Sequence, residues 1–274
     1  RCLVGSEMCI RDSVKEADYM HNLEYNGTSL RKLGFCIANA PFYHISNRKF
    51  EIVDIYGKDG GIIADNGFYE NIDVSYEINS LPWLVYNDTQ SLIRMLAEEF
   101  ANFDGKYKEL RDTYNTGYYA KAICKSIDKI EYKADKCVST ILNFTRQPFW
   151  YSDEGQKTIS FSAVANSQKE TEFYVYNPEK FSAEPYFCIY HSQDLTLDVN
   201  NAQIKMKAAF VGNENLIELD SEMQSAFCGI TDMNAYISCT SFPVFTSGWN
   251  KIKVISEKEN AFSKINIIPR WRRL

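Results

Sequence analysis

Polar and apolar residues alternate along much of this chain. Between Asn71 and Asn79, Ile72, Val74, Tyr76 and Ile78 fall on one side of an extended backbone, and Asn71, Asp73, Ser75, Glu77 and Asn79 on the other. Successive side chains of a strand point to opposite faces, so this pattern predicts a strand buried on one side. The same alternation predicts strands over Glu172–Tyr176, Leu195–Asn200, Gln203–Lys207 and Lys251–Ser256, and, less regularly, over Phe50–Tyr56, Tyr118–Ile127 and Val138–Phe144. Turn signals lie between them at Asn26-Gly27, Asp59-Gly60-Gly61, Asn66-Gly67 and Ser247-Gly248. One segment departs from the period of two. Over Asp88–Phe100, Leu92, Ile93, Leu96 and Phe100 recur at helical spacing, with Glu98 and Glu99 outside. Asn87 or Asp88 is placed to cap this helix, and Asp104-Gly105 closes the region. Short connections without crossover helices predict antiparallel pairing. A domain boundary is expected near Asp153-Glu154-Gly155, after the cluster Pro148-Phe149-Trp150-Tyr151; beyond it the chain reads strand after strand, as a sandwich does.

Composition narrows the class. With 274 residues, 45% of them hydrophobic, 13 Gly and 7 Pro, the chain is neither collagenous, nor disordered, nor a disulfide-stapled peptide, and it is long enough for two cores. No apolar run approaches the roughly 18–20 residues of a membrane helix. The net charge of −6 comes from interleaved acids and bases, which predicts no membrane partner and no sequence-specific nucleic-acid partner. The 18 Tyr and 17 Phe favour strands and buried interfaces. Cys36, Cys124, Cys137, Cys188, Cys228 and Cys239 are scattered, with no C-x-x-C pair and no nearby His, which reads as free thiols in a protein made in a reducing cytosol. The opening residues stand apart. Residues 1–13 have no period, and Cys9-Ile10-Arg11-Asp12-Ser13 resembles a translated sequencing adapter. Residues 1–19 are therefore expected to be scar and linker, with a native start at Met20 or at a residue upstream of it as far as Val14. Leaving out residues 1–13 removes Arg1, Arg11, Glu7 and Asp12, so the charge is unchanged, and it removes Cys2 and Cys9.

Candidate chemistry is sparse. His21, His44 and His191 stand in no recognisable triad context and read as loop or surface histidines. Gly57-Lys58-Asp59-Gly60-Gly61 lacks phosphate-loop spacing and a following helix, so it reads as a hairpin turn. Asp220 with Glu222, and Asp194 with Asp198, are carboxylate pairs of the kind a glycosidase uses, but such pairs also arise by chance. The oxygen ladder of an EF-hand is absent. Asn26-Gly27-Thr28, Asn87-Asp88-Thr89 and Asn143-Phe144-Thr145 match the glycosylation pattern, which carries no meaning without a secretory signal. The sequence names no catalytic residue, no cofactor and no metal site, and predicts no enzyme.

The most specific residues lie in the last third. Leu216-Ile217-Glu218-Leu219 leads into Asp220-Ser221-Glu222, followed by Phe242-Pro243, Gly248-Trp249-Asn250-Lys251-Ile252 and Pro269-Arg270-Trp271-Arg272. Upstream stand Asn22 to Gly34, Val53 to Gly67, Leu110 to Tyr114 with Gly117 to Ala122, and Phe144-Thr145-Arg146-Gln147-Pro148-Phe149-Trp150-Tyr151, with Arg146 where a Cys is common. In this order the set resembles the distal tail protein family of long-tailed, non-contractile bacteriophages, over about residues 20 to 274. The resemblance implies a mainly β protein of two domains. Residues 20–153 would form a β-barrel or split-barrel-like ring-forming domain with one helix, and residues 154–274 a galectin-like antiparallel sandwich. It further implies a homohexameric ring at the virion tail tip, assembled from chains made in the bacterial cytoplasm. The ring would join the tail tube protein to the tail-associated tip protein and the receptor-binding protein.

Ring closure requires one face of each subunit to meet a different face of the next. The expected arms are Phe35–Arg48 and Asp59–Phe68, and the expected contact residues are Phe42, Tyr43, Tyr56, Phe68 and Tyr69; both segments also read as ordinary surface loops. The alternative function is carbohydrate binding, with Trp249 and Trp271 stacking on sugar faces, although the same two residues read as core aromatics and the galectin sugar-binding strand is missing. A third reading, a tail-associated hydrolase, needs a cleft with convergent carboxylates.

Overall fold

In the computed structural model, the described residues are 21–81, 89–132, 137–163, 170–208, 216–256 and 262–274. Residues 1–19, Met20 and the expected helix caps Asn87 and Asp88 lie outside them. The chain divides into two compact units, one reaching Trp150 and including Leu274, the other Tyr151–Arg273. Every strand pairing for which a register is described is antiparallel.

The first unit contains β1 (Leu23–Tyr25), β2 (Thr28–Ser29), β3 (Phe35–Ile37), β4 (Arg48–Val53), β5 (Ile62–Tyr69), β6 (Ile72–Ser80), α1 (Thr89–Phe100), β7 (Lys108–Asp112), β8 (Tyr118–Tyr132) and the start of β9 (Val138–Ser152). Seven strands run in the order β2-β1-β7-β8-β9-β6-β3 within an eight-stranded sheet. The alternation in β6 does what its sequence demands: Ile72, Val74, Tyr76 and Ile78 are buried, and Asp73, Ser75 and Glu77 are exposed. The stripe Leu92, Leu96 and Phe100 of α1 covers the core, where Phe100 meets Tyr25 at 5.5 Å and Phe144 at 6.4 Å between ring centres.

The expected barrel does not close. Its two edge strands, β2 and β3, are joined by a 3-10 turn at Leu30–Leu33, whose buried Leu30 and Leu33 pack into the core where a closing ladder would run. The expected arm at Phe35–Arg48 is also shorter than its sequence suggested, because Phe35–Ile37 is β3, with Phe35 fully buried.

The second unit is a sandwich. Its strands are β10 (Ile159–Ser162), β11 (Glu170–Asn177), β12 (Tyr186–His191), β13 (Leu195–Val199), β14 (Ala202–Met206), β15 (Leu216–Asp220), β16 (Ser225–Cys228), β17 (Thr231–Asp232), β18 (Ile237–Cys239), β19 (Gly248–Ile255), β20 (Phe262–Ile268) and the short β21 (Arg272–Arg273). A six-stranded sheet, β10-β20-β12-β15-β16-β17, and a five-stranded sheet, β11-β19-β13-β14-β18, share one core. Ile189, Ile217, Leu219, Ile265 and Ile267 enter it from the first sheet, and Leu197, Val199, Ile204, Ile252 and Val254 from the second.

Asn250 is the most deeply buried polar residue described in this unit. It is fully buried, and its side-chain oxygen accepts the Thr246 N–H at 2.8 Å and the Asn200 side-chain N–H at 2.6 Å. Its amide nitrogen donates to the carbonyls of Thr246 and Gly248, both at 2.9 Å. Asn250→Ala strands these groups without water, so chemical denaturation is expected to show a loss of about 2–3 kcal/mol; a change within about 0.5 kcal/mol, the usual range for a neutral surface site, would count against this role.

Candidate interaction surface

β4 and β5 form a two-stranded ribbon separate from the main sheet. Ile52 pairs with Ile63, Val53 with Ile62, Glu51 with Ala64 and Phe50 with Asp65. Paired residues share a face, so Phe50, Ile52 and Ile63 lie on one face and Val53, Ile62 and Ala64 on the other. All six positions are exposed, with Ile52 at 64% and Ile63 at 66%. Residues apolar on both faces form the pattern of strands covered on both sides, and an isolated hairpin is marginal in water. Tyr56 and the Gly57-Lys58-Asp59-Gly60 turn form the tip, which is the hairpin turn expected there.

Asn66-Gly67, expected as a turn, is instead a bulge within β5. The register shifts between Arg48 and Phe50, and Gly67 adopts φ 80°, a left-handed conformation that glycine enters without steric cost. Asp65 fixes the bulge. Its carboxylate accepts the Gly67 N–H at 3.0 Å and pairs with Arg48, and the Arg48 bond holds its carboxyl down at about 2.

The segment before the ribbon is tied to the sheet by a polar knot. Asp112 accepts the Tyr43 hydroxyl at 2.5 Å, the Tyr76 hydroxyl at 2.7 Å, and the backbone N–H groups of Tyr114 at 3.0 Å and Asn115 at 2.9 Å. Burial first, and the Asp112 carboxylate second, push the Tyr43 hydroxyl far above its ordinary range. The Ser46 hydroxyl donates to the Glu70 carbonyl, and the Tyr43 ring meets Trp150 edge-on at 6.1 Å. Arg146, 2% exposed, lies 4.8 Å over the Trp150 ring and donates to the carbonyls of Gln147 and Pro148, both at 3.1 Å. Asp112 and Ser46 are absent from the sequence-based candidates because Tyr43, Tyr76 and Glu70, which they bond, lie far along the chain. Tyr43→Phe removes one charge-assisted bond while the other Asp112 donors remain, so a loss of about 1–2 kcal/mol is expected by denaturation, with faster proteolysis within residues 38–47; unchanged cleavage would show that Tyr43 does not hold this segment.

Of the residues expected at a subunit contact, Phe42, Tyr43, Tyr56 and Phe68 are exposed, Tyr43 least at 39%. Tyr69 is half-buried, with its ring 5.7 Å from Phe149, and Tyr43 is largely used inside its own unit. The two tryptophans separate. Trp249 is 70% exposed. Trp271 is buried beside Phe245 at 5.6 Å, with its backbone against Gly155, so its faces are closed to a sugar and the stacking expected of it is corrected.

The remaining candidates serve the fold. Asp220 and Glu222 both face Arg270, at 2.7 and 3.5 Å. Asp198 accepts the Asn201 N–H at 2.9 Å. Asp194 accepts the Ala208 N–H at 2.7 Å and lines a cleft of about 780 Å³ with Gln193, Lys205, Lys207 and Tyr236, without Asp198. His21 stacks on Tyr114 at 4.1 Å, and His191 is buried, which lowers its pKa. The six described cysteines are free thiols, and burial pushes Cys124 up to about 11. Among the described residues no group of three or more His, Cys, Asp or Glu is arranged to hold a metal, and no helix is long and apolar enough to cross a membrane.

Among the solved structures similar to this architecture over nearly its full length is the Dit protein (gp 19.1) of phage SPP1, described as a paradigm of the hub adsorption apparatus in phages infecting Gram-positive bacteria. The TM-score is 0.65, with 93% of this chain and 99% of that chain covered. This chain has the Dit fold. Sequence identity is only 12%, so the likeness lies in the arrangement of strands rather than in shared side chains. No family profile matches the sequence, and no curated protein is similar to it in sequence. The Dit fold accounts for an open sheet carrying one helix, followed by a sandwich, and it leaves the chemistry of each surface to the residues described above.

Proposed function

We propose that this chain is the structural hub of a phage tail tip, six copies closing into a ring that joins the tail tube to the tip protein and the receptor-binding apparatus. The observation that carries the reading is the β4–β5 ribbon, apolar on both faces and uncovered within its own chain, on a protein of the Dit fold. A ring needs a heterologous contact, and an arm laid over the neighbouring subunit supplies one. The contact residues are Phe42, Tyr56 and Phe68, joined by Phe50, Ile52 and Ile63, with Tyr43 and Tyr69 at the arm's base. Each subunit gives its arm to the next and receives one, so the ring closes without a free arm. The hub acts by binding and positioning, and no catalytic step is assigned to it.

Size-exclusion chromatography coupled to light scattering, followed by negative-stain imaging, tests this directly. The expected result is a mass of six subunits and rings with six lobes. A strictly monomeric protein at high concentration would overturn the reading.

A further inference from the structure

The outer face of the five-stranded sheet carries an aromatic corner that no contact within its own unit covers. Val175, Ile252 and Val254 point into the core, so their neighbours in β11 and β19 point out. The register sets Tyr176 opposite Trp249, Tyr174 opposite Lys251 and Glu172 opposite Lys253. Trp249 is 70% exposed, and Tyr174 and Tyr176 are 53% exposed each. The Tyr176 and Trp249 rings lie 5.2 Å apart at 60°, which makes a shallow V rather than a closed stack.

Beside this corner runs a ladder of paired charges. Lys251 meets Glu172 at 2.6 Å, and Lys253 meets Glu172 at 3.1 Å and Glu170 at 2.6 Å. The Tyr174 hydroxyl donates to Glu172 at 3.2 Å. Two lysines and two glutamates leave the strip without net charge.

Size and charge together select the occupant. Three aromatic side chains exposed by half or more present roughly 300 Å² of apolar surface, well short of the about 800 Å² per partner that a stable protein interface buries. The neutral ladder offers no attraction to an anionic lipid or a nucleic acid. A neutral sugar fits both conditions. Its C–H face lies on the electron-rich face of an aromatic ring, and its hydroxyls find donors and acceptors in the adjoining lysines and glutamates. We propose that Trp249, Tyr176 and Tyr174 form a binding platform for a neutral hexopyranose oligosaccharide, with Lys251 and Glu172 holding its hydroxyl groups. Trp249 stacks on one sugar ring, and Tyr176, tilted away, receives the next ring of a twisted chain. The platform lies on the second unit alone and does not depend on ring formation.

The full-length protein is titrated calorimetrically with cellohexaose, chitohexaose and maltohexaose and screened on an array of neutral glycans, with polygalacturonate and heparin as anionic comparators. Binding to a neutral glycan is expected with Kd on the order of 1 mM. Trp249→Ala and Tyr176→Ala are each expected to weaken it at least about tenfold. Both side chains are exposed, so both variants stay folded, and light scattering on the same samples reports an unchanged oligomer. This separates failure of the platform from failure of the ring. No binding to any neutral glycan up to about 10 mM overturns the proposal. So does binding only to the anionic polymers, or a loss in Trp249→Ala of binding to another virion protein with no sugar bound by the parent.

Discussion

A protein carrying both Ile52→Asp and Ile63→Asp is expected to elute as a folded monomer. The two residues face each other across the ribbon and are exposed in the isolated chain, so the substitutions disturb no packing within the subunit. In the ring each would pass from water into a neighbour's surface, a gain of about 1.5–3 kcal/mol per side chain. Aspartate reverses this twice over, by removing apolar area and by requiring two carboxylates, close together, to lose water at each interface. In the proposed ring the effect would repeat at every interface, so assembly would fail as a whole rather than by degrees. Light scattering is expected to report one subunit's mass, and thermal unfolding of the dilute monomer to be unchanged within about 2 °C. Rings that survive both substitutions would remove the ribbon from the interface, and a large drop in the unfolding temperature would show that the ribbon serves its own subunit.

The second large effect belongs to the sandwich. Asp220, 5% exposed, receives both terminal nitrogens of Arg270, at 2.7 and 2.9 Å, and also accepts the N–H groups of Glu222 at 2.9 Å and Met223 at 3.1 Å. Asp220→Ala leaves a largely buried guanidinium with only the longer Glu222 contact in place of its two Asp220 bonds, and two turn N–H groups without an acceptor, for an expected loss of about 2–4 kcal/mol. Asp220→Asn keeps an acceptor for the turn but loses the charge and one of the two Arg270 bonds, so it is expected to cost less than the alanine. Burial raises the Asp220 carboxyl, but the Arg270 bonds and the turn N–H groups outweigh it and hold its pKa below 3.8. A carboxylate lowered on folding contributes stability that is present above its unfolded value and lost as pH falls through the folded one. Denaturation midpoints of the parent are therefore expected to fall below about pH 4 more steeply than those of Asp220→Asn. Parallel acid limbs for the two proteins would remove Asp220 from the account.

The strands that cover a core were legible in the sequence. Ile72–Ser80 alternates strictly because one of its faces is water, and burial follows that period. The stripe Leu92, Leu96 and Phe100 was legible for the same reason. The ribbon was legible in halves, Phe50–Tyr56 as strand and Asp59–Phe68 as an arm or surface loop; their pairing into one exposed unit was not, because Phe50, Ile52 and Ile63 have the composition of a core and nothing local records that the covering layer is missing. Trp249 and Trp271 show where the signal lay. Asn250, Ile252 and Val254 point inward, so parity alone sends Trp249 out. Trp271 has no such parity, since Pro269 and the left-handed Arg270, φ 58°, break the period just before it. Asp112 was out of reach altogether, as its hydroxyl partners Tyr43 and Tyr76 lie 69 and 36 positions away.

The bulge at Gly67 bears on how the free chain behaves in solution. Two strands with unpaired edges and greasy faces invite endless edge-to-edge stacking, the route by which free chains are lost to fibres. Here the straight run ends at Phe50 opposite Asp65, where the backbone kinks and an Arg48–Asp65 ion pair sits across the strands. The stretch left for a stray copy to zip onto is four residue pairs, from Phe50 to Val53. The kink thus sets a solubility limit for the free chain, ending the ribbon's straight run too soon to template a filament.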